Sequence, residues 1–159
     1  MNVNIVAVGK IKEKYLKDAI DEYSKRLSRF CKLKIVEVPD EPMSDRPNDA
    51  EKAAVLKKEA QKIAAAIQQT DVLVTLCVEG KQVSSEKFAD FFSDETVNGA
   101  NSFTFVIGGS LGLSDEIKVK SKMRLSFSLM TFPHQLMRVI LLEQIYRAFK
   151  INANESYHK

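Results

Sequence analysis

The sequence predicts an α/β fold, a single domain whose mainly parallel sheet is flanked by helices, and three observations carry that prediction. Strand patterns alternate with helical ones along the chain, the order that builds parallel sheets. Two of the strand segments, 71–78 and 103–107, are apolar almost throughout rather than alternating, as strands covered on both faces are. No repeat, low-complexity tract or linker divides the 159 residues, so one domain over 1–159 accounts for the whole chain.

The first strand is Asn2 to Val8, stopped by Gly9. An amphipathic helix follows from about Tyr15 to Phe30, because Leu16, Ile20, Tyr23, Leu27 and Phe30 recur at alternating spacings of four and three. Leu33 to Val38 alternates as the second strand. Pro39, Pro42 and Pro47 then mark a surface loop or lid. Asn48 or Asp49 caps a helix running to about Gln69, with Ala53, Leu56, Ala60, Ile63 and Ile67 on one face.

Asp71 to Val78 is the third strand, ending at Glu79-Gly80. Ser84 or Ser85 opens a short helix through Phe88, Phe91 and Phe92. Phe103 to Ile107 is the fourth strand and runs into Gly108-Gly109-Ser110-Leu111-Gly112, after which Ser114 caps a single helical turn. Leu125, Phe127 and Leu129 alternate as a fifth strand, and Pro133 begins a helix to about Lys150. That last helix is apolar over most of its circumference, so it needs cover on several sides. A homodimer packed through it supplies the cover; a fully internal helix is the alternative.

Composition narrows the function classes. No apolar run is long enough for a membrane helix, and the start has no secretory pattern. Cys31 and Cys77 lie far apart with no Cys/His cluster, which fits two free thiols in a reducing, cytoplasmic setting and suggests no metal. The net charge of +3 is uneven: residues 111–159 hold eight Lys/Arg against four Asp/Glu. A polyanionic partner is compatible with that excess. Lys118, Lys120, Lys122 and Arg124 form its densest part, either a solvated surface or a phosphate contact.

Ligands of such sheets bind outside the carboxyl ends of the strands. Three segments emerge there: Glu79-Gly80, Gly108 to Gly112, and Met130 to His134. The glycine segment lacks the Gly-Lys-Ser/Thr of a phosphate loop. It also lacks the spacing and the later acid of a dinucleotide fingerprint. What remains is a glycine turn that holds a small ligand by backbone contacts, or simply a tight strand-to-helix turn. His134 and Arg138, four apart, share a face at the positive end of the last helix, beside the third segment. Glu143 and Arg147 share another, where an ion pair is the plain reading. The tail places Tyr157, His158 and Lys159 consecutively; alone, that signal is weak.

Taken together, these segments resemble the RlmH family of the SPOUT superfamily, bacterial methyltransferases that act on N3 of a pseudouridine in large-subunit (23S) ribosomal RNA. The matching pieces are Ile5 to Gly9, Thr75-Leu76 with Gly80-Lys81, Ile107 to Ser114, Ser126 to His134 running into Arg138-Val139, Glu143 to Ala148, and Asn154 with Tyr157-His158. They span essentially the whole chain. Where many relatives carry proline before the tail tyrosine and arginine after the histidine, this chain has Ser156 and Lys159. Serine leaves the turn less rigid and lysine loses a bidentate fork.

The resemblance implies a deep trefoil knot in the C-terminal part, with knot and cofactor site in about 71–159, and a homodimer whose active sites are completed at the interface. It implies S-adenosyl-L-methionine as methyl donor, held by Leu76, Gly108, Phe127, Ser128, Leu129, Met130, Thr131 and Phe132, and no metal. The substrate would be ribosomal RNA within the large subunit or ribosome. Removal of the N3 proton needs a base, for which His134 and His158 are candidates. Arg138 or Arg147 would steady negative charge, and Tyr157 would stack on or hydrogen-bond the base. Two rival readings are a methyltransferase for a ribose 2′-hydroxyl and a non-catalytic RNA- or ribosome-binding protein. A nicotinamide-dependent oxidoreductase is a more distant third.

Overall fold

The computed structural model describes residues 1–67 and 72–157. Five strands form one sheet in the order β2-β1-β4-β3-β5, and every pairing is parallel. The strands are β1 (Asn2–Val8), β2 (Lys32–Val38), β3 (Val72–Lys81), β4 (Ser102–Ile107) and β5 (Met123–Leu125). The helices are α1 (Lys14–Leu27), α2 (Asp49–Ala66), α3 (Ser85–Val97), α4 (Asp115–Val119) and α5 (His134–Asn152). Three of them are capped by the residues whose chemistry predicts it: Asn48, Ser84 and Ser114 each accept from a backbone N–H in the first turn.

Two apolar layers sandwich the sheet. On one side Val3, Ile5, Ala7, Phe103 and Phe105 meet α1, α3 and α5, with Phe92 stacked among Phe103, Phe105 and Phe149. On the other, Val6, Val8, Val38 and Val106 meet Ala60 and Ile63 of α2 and Ile117 of α4. Helix α5 lies between α1 and α3, with Leu141, Leu142, Ile145 and Ala148 buried beneath it. No described helix is long and apolar enough to cross a membrane.

Two strands depart from expectation, and both departures shape the site. Strand β3 does not stop at Glu79-Gly80 but continues to Lys81, and its pairing with β5 slips so that Leu125 faces both Leu76 and Lys81. Gly80 permits this, since a Cβ there would lie 2.7 Å from the Arg124 carbonyl oxygen. Strand β5 ends at Leu125 instead of running to Leu129. The hydroxyls of Ser126 and Ser128 take over: Ser126 donates to the Ser128 carbonyl (2.9 Å), and Ser128 accepts from the Met130 N–H (3.0 Å). Short polar side chains bonding to nearby backbone compete with the ladder, and here they turn the chain.

Helix α1 also ends earlier than its apolar stripe, at Leu27, although Phe30 still packs on Tyr146 and Phe149. The predicted end of α2 at Gln69 and the start of β3 at Asp71 lie outside the described residues.

Candidate active site

A cavity of about 330 Å³ opens at the carboxyl edge of β3, β4 and β5, within the range of roughly 300–1,000 Å³ usual for small-ligand sites. Its walls come from residues 76–79, 107–113, and 125–128 with 130–132, the three strand-end segments that the pattern of elements marks out. Lys118, His134 and Met137 complete the rim.

The glycine segment is a tight turn. Gly109 and Gly112 form an antiparallel bridge, the Gly112 N–H donates to the Gly109 carbonyl (3.0 Å), and Gly112 has φ +76°. A Cβ on Gly108 would fall 2.3 Å from the Gly112 carbonyl oxygen, so backbone alone makes this wall. Leu76, Ile107, Leu125, Phe127 and Phe132 supply apolar surface opposite it. Glu79 places a carboxylate at the lip; its ion pair with Lys118 (2.5 Å) chiefly holds it below the usual carboxylate range. Apolar walls for a purine, exposed backbone groups for its edges and a carboxylate for a cation fit the donor that the resemblance implies. Of the eight residues expected to hold it, seven line the cavity, and Leu129 points away at 78% exposed.

Cys77 is on the wall too, and its thiol is pushed up first by burial and then by Glu79. Alkylation at about pH 8.5, near where an ordinary thiol is half ionised, should therefore be slow at Cys77. Saturating S-adenosylmethionine should slow it severalfold further. Equal labelling with and without the donor would place the donor elsewhere.

His134 is the first residue of α5, whose N-terminus has no side-chain cap, so its free N–H groups point toward the cavity rim. The imidazole packs against Gly9, where φ is +91° and a Cβ would sit 3.5 Å from Nε2. Arg138, one turn on, does not line the cavity. It is 1% exposed, paired through Nη1 with Glu37 (2.8 Å), and donates through Nη2 to the Gly9 carbonyl (3.1 Å). The cation thus ties the ends of β1 and β2 beneath His134.

Burial works against ionising Glu37, but Arg138 and the Ile11 N–H outweigh it and hold the carboxyl below its ordinary range. For a carboxylate whose folded pKa is depressed, the stabilisation is complete above the unfolded pKa. It fades as pH falls through the folded one. Arg138→Ala should cost about 2–3 kcal/mol, the low side of breaking a buried pair, because the partly exposed Glu37 regains water. Chemical denaturation at pH 7 and pH 4 checks this: the variant's deficit should shrink at the lower pH.

The described part of the tail, up to Tyr157, lies far from this cavity within one chain. The Tyr157 hydroxyl donates to Glu143 Oε1 (3.2 Å), its ring packs on Tyr146, and Arg147 lies 4.7 Å from the ring centre. Burial first, then Glu143, pushes this phenol up to about 12. Tyr146 stands about 18 Å along the helix axis from His134. Glu155 anchors the turn through Arg29 (2.6 Å) and Lys150. His158 lies outside the described residues. The expected Glu143–Arg147 pair is present at 2.7 Å. The basic run is largely neutralised: Lys118 pairs with Glu79, Lys120 with Glu116 and Lys122 with Glu95.

Sequence reasoning missed Glu37 and Glu59, and it reached Glu79 only as part of a strand-end segment. Glu59 is 6% exposed behind Gly109, and its Oε2 has no hydrogen-bond partner among the described residues. Its position one residue before Ala60, on the apolar stripe of α2, was the only signal available.

A family model described as "Predicted SPOUT methyltransferase" matches residues 1–158. The chain is 55% identical over its full length, and that of the relative, to the ribosomal RNA large subunit methyltransferase H of Clostridium novyi (strain NT). It is 54% identical, again over both full lengths, to the protein of the same name from Clostridioides difficile (strain 630). Among solved structures it resembles a methylase-family protein from Haemophilus influenzae Rd KW20, with TM-score 0.54 at 13% identity over 99% of this chain and 70% of that one. A methylase-family protein from Neisseria gonorrhoeae gives TM-score 0.53 at 12% identity, over 99% and 86%.

Proposed function

This chain belongs to the SPOUT methyltransferase family, and on that premise we propose that it methylates N3 of a pseudouridine in large-subunit ribosomal RNA, with S-adenosylmethionine as donor. The observation that carries the reading is the cavity at the strand ends, walled by the glycine turn and the 126–132 wrap and rimmed by His134.

The donor supplies an activated methyl group to a nucleophile aligned with it. Leu76, Phe127 and Phe132 would pack its adenine, the backbone of 108–112 and of 127–132 would meet its polar edges, and Glu79, paired with Lys118, would lie at the lip. Alignment of donor and acceptor is worth about 7–11 kcal/mol of the barrier. The acceptor N3 carries an imide proton, and the imidazole of His134 takes it as the lone pair is committed. The uncapped start of α5 steadies the negative charge spread over the flanking carbonyl oxygens. Arg138 acts from beneath, fixing Gly9 and through it the plane of His134.

The working unit in this reading is a homodimer. Leu136, Val139, Ile140, Glu143 and Arg147 face away from the sheet on one stripe of α5, and Tyr157 lies on that same stripe. An antiparallel pair of α5 helices crossing near Ile140 sets the level of Tyr146, and the tail beside it, opposite the partner's His134. Tyr157 and His158 then serve the neighbouring cavity, against the flipped-out base. A trefoil knot belongs with this reading. What supports it is the family, whose model matches residues 1–158.

The test is direct. Large-subunit particles from cells lacking the gene are incubated with the protein and donor, and the RNA is mapped by mass spectrometry. One methyl on the base of a pseudouridine is the expected result. A methyl on a ribose, or none, sinks the proposal.

A further inference from the structure

Parallel sheets are ordinarily covered on both faces. On the α2 side of this one, no described helix covers the amino-end part of β1 and β2, and the residues change character there. By register, Val6, Val36 and Val106 form one rung across β1, β2 and β4, and Val8 with Val38 the next; α2 packs on this carboxyl-side part. Toward the amino ends the rungs become Asn4 with Lys34 and Thr104, then Asn2 with Lys32 and Ser102. Asn2, Asn4, Lys32, Lys34 and Ser102 line an open depression there.

The lysines in it are donors only, and the amides and the hydroxyl both donate and accept. Asn4 Nδ2 donates to the Ser102 hydroxyl oxygen (3.2 Å), which leaves the serine O–H free to donate outward. Lys32 and Lys34 project from edge strand β2 about 6.6 Å apart, a spacing comparable with the repeat of a nucleic-acid backbone. Among the described residues neither has an acidic partner, whereas Lys118, Lys120 and Lys122 are all paired. Lys32 and Lys34 therefore carry uncommitted positive charge on this face, whereas of the basic run only Arg124 has no acidic partner among the described residues. Lysine, amide and hydroxyl groups are the side chains that contact phosphate and sugar without reading sequence.

We propose that this uncovered half-face is a second RNA-docking surface, gripping the phosphate backbone of the large substrate at a distance from the reacting base. It rests on the reading that ribosomal RNA is the substrate. Ser102 of the depression and Ile107 of the cavity stand five residues apart on β4, about 17 Å. A lone nucleoside cannot span that, and a folded RNA can.

The experiment compares wild type, Lys32→Glu/Lys34→Glu and Lys32→Arg/Lys34→Arg for binding to ribosomal particles across a salt series, and for affinity toward S-adenosylmethionine. The glutamate pair should weaken particle binding roughly ten- to a hundredfold at low salt and flatten the salt slope by about one to two units, as expected for two lost phosphate contacts. Donor affinity should not change, and the arginine pair should bind as wild type. A photo-crosslinker at Lys34 should capture RNA. Lysines on an edge strand also discourage strand pairing between molecules, and glutamate would preserve that role. Unchanged particle binding by the glutamate pair therefore overturns the proposal. Crosslinks confined to ribosomal protein overturn it as well, assigning the face to an acidic polypeptide. A wild type that binds and crosslinks to RNA here yet methylates none would sink the preceding reading and leave this one standing.

Discussion

His134→Ala should slow methyl transfer by about 10²- to 10⁴-fold, the usual worth of a positioned proton acceptor, while the donor binds as before. The imidazole lies at the cavity rim, held against Gly9 at the start of α5, where both the acceptor base and the donor must come together. Alanine would remove the proposed acceptor of the N3 proton and leave Arg138, which the Gly9 carbonyl and Glu37 fix independently. Single-turnover methylation of ribosomal particles, with donor affinity measured by calorimetry, separates chemistry from binding. A rate within a fewfold of wild type would move the base to the tail. Joint loss of rate and donor affinity would make His134 a wall of the cavity and not the base.

Gly108→Ala should abolish donor binding and cost 4 kcal/mol or more of stability, the exceptional range reached only when backbone must move. The added methyl would lie 2.3 Å from the Gly112 carbonyl oxygen, a backbone atom held by the Gly109–Gly112 bridge. Ala7 and Ile107 pair across β1 and β4 immediately before the turn, so the displacement cannot be absorbed there. Gly99→Ala is the control: nothing lies within 4 Å of its Cβ, so its cost is confined to the strain of φ +98° at an α3 terminus. Equal stability and donor affinity for wild type and Gly108→Ala would show that the turn relaxes freely and does not form the cradle.

The sheet and its helices were legible because burial leaves a period in the sequence. Apart from Thr75 and Thr104, residues 72–76 of β3 and 103–107 of β4 are apolar since both faces are covered there, and Asn48, Ser84 and Ser114 announce their helices. The fifth strand was misread because Leu125, Phe127 and Leu129 alternate whether the chain pairs or turns, and hydroxyl bonding by Ser126 and Ser128 decides for the turn. The excursion of β3 past Gly80 was invisible, as only the crossing over Arg124 reveals why that residue must lack a Cβ. Arg138 looked like a partner of His134 because they share a helix face. Its acid, Glu37, is 101 positions away, beyond any local pattern. The residues proposed to hold the donor came from family resemblance; periodicity alone reached only the three strand ends.

The strand order has a consequence for how this protein is made. Strand β4 is fourth along the chain yet sits at the centre, and it alone joins β1 to β3. During translation, about two thirds of the polypeptide must leave the ribosome before the sheet can close, and until then β1 has an open side beside β2. Nascent chains halted before Ser102 would carry that bare edge and stick to one another, whereas those halted after Ile107 would have the edge sealed.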